Sequence, residues 1–83
     1  MDKIDNLRQQ IDSIDDKVMK LLNDRFELTN EIGRIKSKSK ISVMDNNREN
    51  YIYNKIAKYS HFPSINNIYV TVLSESKKLQ KKA

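Results

Sequence analysis

Five charged side chains between positions 25 and 49 stand where a solvated helix would not need them: Arg25, Lys36, Asp45, Arg48 and Glu49. Arg25 is the sharpest case. Ile4, Leu7, Ile11, Ile14, Val18, Leu21, Leu28, Ile32 and Ile35 recur at alternating three and four spacing, and Arg25 takes the seam position left between Leu21 and Leu28. A guanidinium there cannot shed its charge, so it must meet an anion, stay hydrated in a cavity, or destabilise the fold by kilocalories. Lys36 follows eleven residues on, about three turns at roughly 3.6 residues per turn, and so lies near the same face. Together they describe a cationic wall inside a helical bundle. Pairing of Arg25 with a carboxylate on a partner helix, as a register-setting polar residue, is the alternative.

The elements that must position these groups follow from apolar periodicity. The period is helical and unbroken from Ile4 to about Lys38, which predicts one long helix with Asp2 as its N-cap. Gly33 inside it either marks a close approach or is simply tolerated. Residues 37–42 lose the period and read as a polar connection whose Lys38 and Lys40 are solvated loop charges. A second helix is expected from about Met44 to Tyr59, with Asp45, Arg48, Glu49, Ile52, Ile56 and Tyr59 on one stripe. Ile52 and Ile56 would anchor it while its polar first turn faces a cavity. The same three charges would also make a surface salt-bridge ladder.

Residues 60–63 break the pattern, with Pro63 as a stop and Ser64 as a new N-cap; His61, the sole histidine, falls there as a loop residue. A third helix is expected from Ile65 to about Leu79, burying Ile65, Ile68, Tyr69, Val72 and Leu73. Continuing the Leu73 face by three and seven residues reaches Ser76 and Gln80, two hydrogen-bonding groups turned inward. Lys77, Lys78, Lys81 and Lys82 are read as solubilising the end of that helix. Three residues follow Gln80, so fraying there would leave its amide poorly held.

Composition narrows the class. A chain of 83 residues makes one domain, residues 1–83, that buries only about 60% of its unfolded surface, and such chains often need a second copy. One Gly, one Pro and 33% charged residues suit an all-α fold. The chain has no cysteine, no stretch near the roughly 18 apolar residues that span a membrane, and no signal-like apolar run, so a cytoplasmic location is expected. The net charge of +5 suits either nucleic acid or a small anion. There is no cysteine nucleophile, glycine-rich phosphate loop or metal-binding spacing, so neither metal nor cofactor is expected. What remains is cations with a few neutral or acidic hydrogen-bonding groups. Such a set can bind a small dianion and stabilise charge that develops during a reaction.

At this point the chain resembles the all-helical chorismate mutase family in motif order from end to end. Residues 7–15 (LRQQIDSID) look like its opening, and residues 21–28 (LLNDRFEL) with 31–36 (EIGRIK) like its middle. Residues 45–49 (DNNRE) resemble its second-helix signature and residues 73–80 (LSESKKLQ) its terminal one. The resemblance implies three helices per chain in an intertwined homodimer, free of cofactors, that rearranges chorismate to prephenate on the way to phenylalanine and tyrosine. Arg8 of the partner subunit and Arg25 should clamp the two carboxylates. Lys36 and Gln80 should donate to the ether oxygen, and Glu49 should accept from the ring hydroxyl. Asp45, Arg48 and Ser76 match supporting positions, and Ile32 an apolar contact beside the ring.

Helix geometry bears on the crossed arginine. Arg8 and Arg25 are seventeen residues apart, about 25 Å at roughly 1.5 Å per residue and on different sides, so one helix cannot aim both at one small molecule. Isochorismate pyruvate lyase and aminodeoxychorismate mutase, of the same fold, are the near rivals; Glu49 and Ser76 favour chorismate. A basic helical module that binds nucleic acid or protein is the rival from another class. It predicts cations on an outer face and leaves Glu49 and Gln80 without a role.

Overall fold

The computed structural model describes residues 2–83, which form three α-helices and, among the described residues, no strand: α1 (Lys3–Ser39), α2 (Asn46–Ile56) and α3 (Phe62–Lys82). α1 opens as expected, the Asp2 carboxylate accepting from the Asp5 N–H at 2.9 Å. It closes at Lys40, which takes the left-handed conformation (φ 56°, ψ 35°) usually left to glycine. The Ile41 N–H then donates to the Lys36 carbonyl at 2.8 Å and the Lys40 N–H to that of Ser37 at 3.4 Å, so the chain turns away after Lys40. A helix of 37 residues is about 55 Å long at roughly 1.5 Å per residue, and it sets the 56 Å long axis of the molecule.

Only the second half of α1 has company. Leu22, Phe26, Thr29, Gly33 and Lys36, spaced by four, three, four and three, form the stripe that is buried or half-buried, and α3 is the helix lying against α1. α3 in turn packs on α2, and α1 and α2 make no close backbone approach. The core this yields is small: Ile52, Ile56 and Leu73 with Tyr53, Ile65 and Tyr69 around them, and Val72 buried nearby. The nine-residue apolar seam lies mostly outside it. Every residue from Asp2 to Leu21 is exposed, and Leu21 and Leu28 are each 65% exposed.

Several boundaries differ from the periodicity reading. α2 begins at Asn46 because Asp45 is its N-cap, accepting from the Arg48 N–H at 2.9 Å, and it ends at Ile56, leaving Tyr59 exposed in the turn. α3 begins three residues earlier than expected. Pro63 stands in its first turn, where a missing N–H costs nothing, so it starts the helix and Ser64 lies within it; His61 precedes it without a side-chain cap bond. α3 also continues to Lys82, so Gln80 is held inside regular helix. Ile68, expected in the core, is 60% exposed. The packed stripe of α3 is Ile65, Tyr69, Val72, Leu73 and Ser76, and Ile68 points about 100° away from its neighbour Tyr69.

Candidate active site

The three helices border an open cavity of about 360 Å³. α1 lines it with Arg25, Leu28, Thr29, Ile32 and Lys36; α2 and the turn before it with Val43, Asp45, Arg48, Glu49 and Ile52; α3 with Leu73, Ser76, Lys77 and Gln80. Eight of the nine residues named from the sequence thus come together, and Arg8 does not: it is exposed on the free half of α1. Four cations (Arg25, Lys36, Arg48, Lys77) face two carboxylates (Asp45, Glu49), so the cavity has an excess of two positive charges. A dianion is the complementary ligand.

Arg25 is held from α3. Its Nη1 donates to the Ser76 hydroxyl at 2.6 Å, and Ser76, 5% exposed, donates in turn to the Val72 carbonyl at 2.7 Å. The guanidinium lies 5.9 Å from the centre of the Tyr69 ring, within cation–π range. The Thr29 hydroxyl, one turn on, donates to the Arg25 carbonyl at 2.9 Å. Among the described residues Arg25 forms no ion pair with a carboxylate of its own chain. A charge fixed by a neutral acceptor and an aromatic face keeps its capacity to meet an incoming anion.

Lys36, at the far end of the same wall, makes one long bond to the Val43 carbonyl at 3.4 Å. Opposite it, Gln80 has its Oε1 buried with no donor. An unpaired buried acceptor costs about 1–3 kcal/mol. Gly33 explains how Gln80 comes so close: a Cβ there would stand 2.6 Å from the Gln80 Cα and 2.8 Å from its carbonyl oxygen. Of the two readings left for Gly33, close approach is the one realised.

The α2 groups differ from one another. Asp45 uses a carboxylate oxygen as the helix cap and still borders the cavity. Arg48 is exposed, its guanidinium 5.4 Å from the Tyr51 ring. Glu49 is half-buried and pairs with Lys77 at 3.2 Å. Lys77 therefore departs from its expected role as a solubilising charge: its ammonium bridges α3 to α2 at the cavity wall. Thr29, Val43 and Lys77 are the lining residues that sequence reasoning passed over. Lys77 had a legible signal, standing three residues before Gln80 on one face; Val43, in an aperiodic turn, had none.

A second hollow of about 410 Å³ shares Arg25, Arg48 and Ile52 with the first and continues past Ile56, Ile65 and Tyr69. Among the described residues there is no group of side chains able to hold a metal ion, and no helix long and apolar enough to cross a membrane.

Comparison with known proteins identifies the family. The family model described as chorismate mutase type II matches residues 7–81. The chain is 34% identical over 90 residues to a bifunctional chorismate mutase/prephenate dehydratase of Aquifex aeolicus, covering 99% of this chain and 25% of that protein. It is 31% identical over 86 residues to a chorismate mutase of Methanocaldococcus jannaschii, covering 98% of this chain and 87% of that one. The chain thus spans about a quarter of the first relative and most of the second. With the family model covering nearly its whole length, the chain belongs to the chorismate mutase type II family.

Proposed function

We propose that this chain is a chorismate mutase domain that works as an intertwined homodimer, converting chorismate to prephenate in the synthesis of aromatic amino acids. The observation that carries the reading is the cavity itself, with Arg25, Lys36 and Gln80 on its wall and one guanidinium fixed without a carboxylate.

The reaction is an intramolecular Claisen-type rearrangement in which the ether C–O bond breaks as a C–C bond forms. No proton or electron need be exchanged with the protein. The demands are conformational, holding the side chain folded over the ring, and electrostatic, favouring negative charge as it builds on the ether oxygen. In this reading Arg25 and the partner subunit's Arg8 clamp the two carboxylates. Lys36 and Gln80 donate to the ether oxygen, Glu49 accepts from the ring hydroxyl, Asp45, Arg48 and Ser76 support them, and Ile32 lies against the ring. No cofactor enters.

The dimer is supported by what one chain leaves exposed. The apolar row Ile4, Leu7, Ile11, Ile14, Val18 and Leu21 lies on a helical stretch with no intrachain neighbour, and a contiguous apolar face of this kind normally marks an interface. An isolated stretch of that length is marginal in water and needs packing to persist. A second α1 crossing here would bring its Arg8 toward the cavity and its apolar residues toward the second hollow, past Ile56, Ile65 and Tyr69. A cytoplasmic setting belongs to the same reading, in keeping with the cysteine-free sequence.

The test follows chorismate loss in the ultraviolet, with phenylpyruvate formed after acid treatment; an isochorismate lyase or an aminodeoxychorismate mutase would give neither from chorismate. Arg8→Ala and Arg25→Ala should each be inactive alone and regain activity when mixed and refolded together. Each mixed dimer then has one intact site, so an equal mixture should recover about a quarter of wild-type turnover for a two-fold assembly. Recovery of nothing would refute the crossed site. A nucleic-acid module would instead show steep salt-dependent binding and indifference to both changes.

A further inference from the structure

Glu49 is not alone at the cavity wall. Its Oε2 lies 3.2 Å from the Lys77 ammonium, and the two side chains are 25% and 32% exposed. The remaining ion pairs among the described residues are local: Lys20 with Asp24 on α1 and Glu75 with Lys78 on α3. Lys77 with Glu49 is the pair that ties two helices together, and both members border the cavity. Of the four cations lining that cavity, Lys77 is the one within ion-pair distance of Glu49.

Resting on the reading that Glu49 faces the ring substituent of a chorismate-like substrate, we propose that Lys77 is a specificity-determining, positioning residue that makes this subsite select a neutral hydroxyl over an ammonium group. A solitary carboxylate accepts from either substituent and favours the cation, since an ammonium adds the attraction of opposite full charges to the hydrogen bond. Lys77 removes that advantage. With one carboxylate oxygen engaged by the ammonium, the other remains to accept a single hydrogen bond, and the pair as a whole is neutral. A ring hydroxyl fits this arrangement. A ring ammonium would sit beside a like charge that is already the carboxylate's partner, which is discrimination by repulsion. Arg25 and Lys36 do not do this work, because in the same reading the substrate's carboxylates and ether oxygen face them.

The experiment measures kcat/KM for chorismate and the competitive inhibition constant of 4-amino-4-deoxychorismate in wild type, Lys77→Met and Lys77→Arg. Methionine keeps the length and packing of the stem while removing the charge. The preference for the hydroxyl compound should fall about tenfold in Lys77→Met, a modest figure because the pair is partly solvated, and should be restored in Lys77→Arg. In a Glu49→Gln background the further change Lys77→Met should still lower the preference for the hydroxyl compound, because the like charge beside a ring ammonium is removed there too. An unchanged preference in Lys77→Met, or an equal fall in Lys77→Arg, overturns the proposal while leaving chorismate turnover as the activity. A wild-type protein inert toward chorismate overturns the parent reading and this inference with it.

Discussion

Arg25 is fixed by one hydroxyl: Ser76 accepts from it at 2.6 Å while donating to the Val72 carbonyl at 2.7 Å. Ser76→Ala removes that tether and leaves the charge, so kcat/KM should fall about tenfold, the worth of roughly one charge-assisted hydrogen bond, and mostly through KM. An unaltered KM with a large fall in kcat would contradict that assignment. Gln80 governs pH dependence. Its amide does not titrate, so kcat/KM should stay level from mildly acidic to mildly alkaline pH. Gln80→Glu puts a carboxyl of ordinary pKa about 4.3 there, which donates only when protonated, so activity should rise as pH falls. A variant profile as level as the wild type would remove Gln80 from contact with the developing charge. Arg25 and Gln80 were legible in the sequence because each is polar on an otherwise apolar stripe. The partnership of Glu49 with Lys77 was not, because it joins residues on two helices and depends on how α2 and α3 lie together.

At the scale of elements, the crossing of α1 and α3 depends on a missing side chain. Gly33→Ala would raise intrinsic helix propensity by about 1 kcal/mol, yet its Cβ would meet Gln80 backbone at 2.6 Å and the Ala83 Cβ at 2.9 Å. Overpacking of this kind costs about 1–3 kcal/mol, so the urea midpoint should fall, and kcat with it as the Gln80 turn is pushed from the cavity. A more stable Ala variant of full activity would show that α3 shifts freely. Periodicity located all three helices and the ends of α1 to within one residue, but it misplaced the ends of α2 and α3 by two to three residues where capping chemistry decides. Asp45 served as a cap instead of a helical residue, and Pro63 began α3 instead of preceding it. Proline and aspartate each fit either side of a helix start, and the choice rests on which N–H groups find partners.

Over the whole molecule, a helix of 37 residues projects half its length beyond a core of a few side chains. If a second copy covers that half, stability must depend on protein concentration, and the thermal midpoint should rise on concentrating the protein. Ile14→Glu places a charge on the seam far from the cavity. It should yield a monomer by sedimentation and lower turnover more than about a hundredfold, since a charge buried without a partner costs several kcal/mol. A monomer that remains helical and active would require every catalytic group to come from one chain.

By itself the sequence determined the helical class, because one Gly, one Pro and an apolar repeat near 3.6 leave few alternatives. It also determined most of the polar wall, because a charge or an amide on an apolar stripe is conspicuous without coordinates. Tertiary structure decided which stripe of α1 faces its own chain. The long seam and the row Leu22, Phe26, Thr29, Gly33 have the same spacing, and it is the shorter row that lies against α3, where Gly33 admits Gln80. It decided as well that Lys77 turns inward to Glu49. Spacing along one helix tells which side chains share a face, but which other helix that face meets is a property of packing in three dimensions.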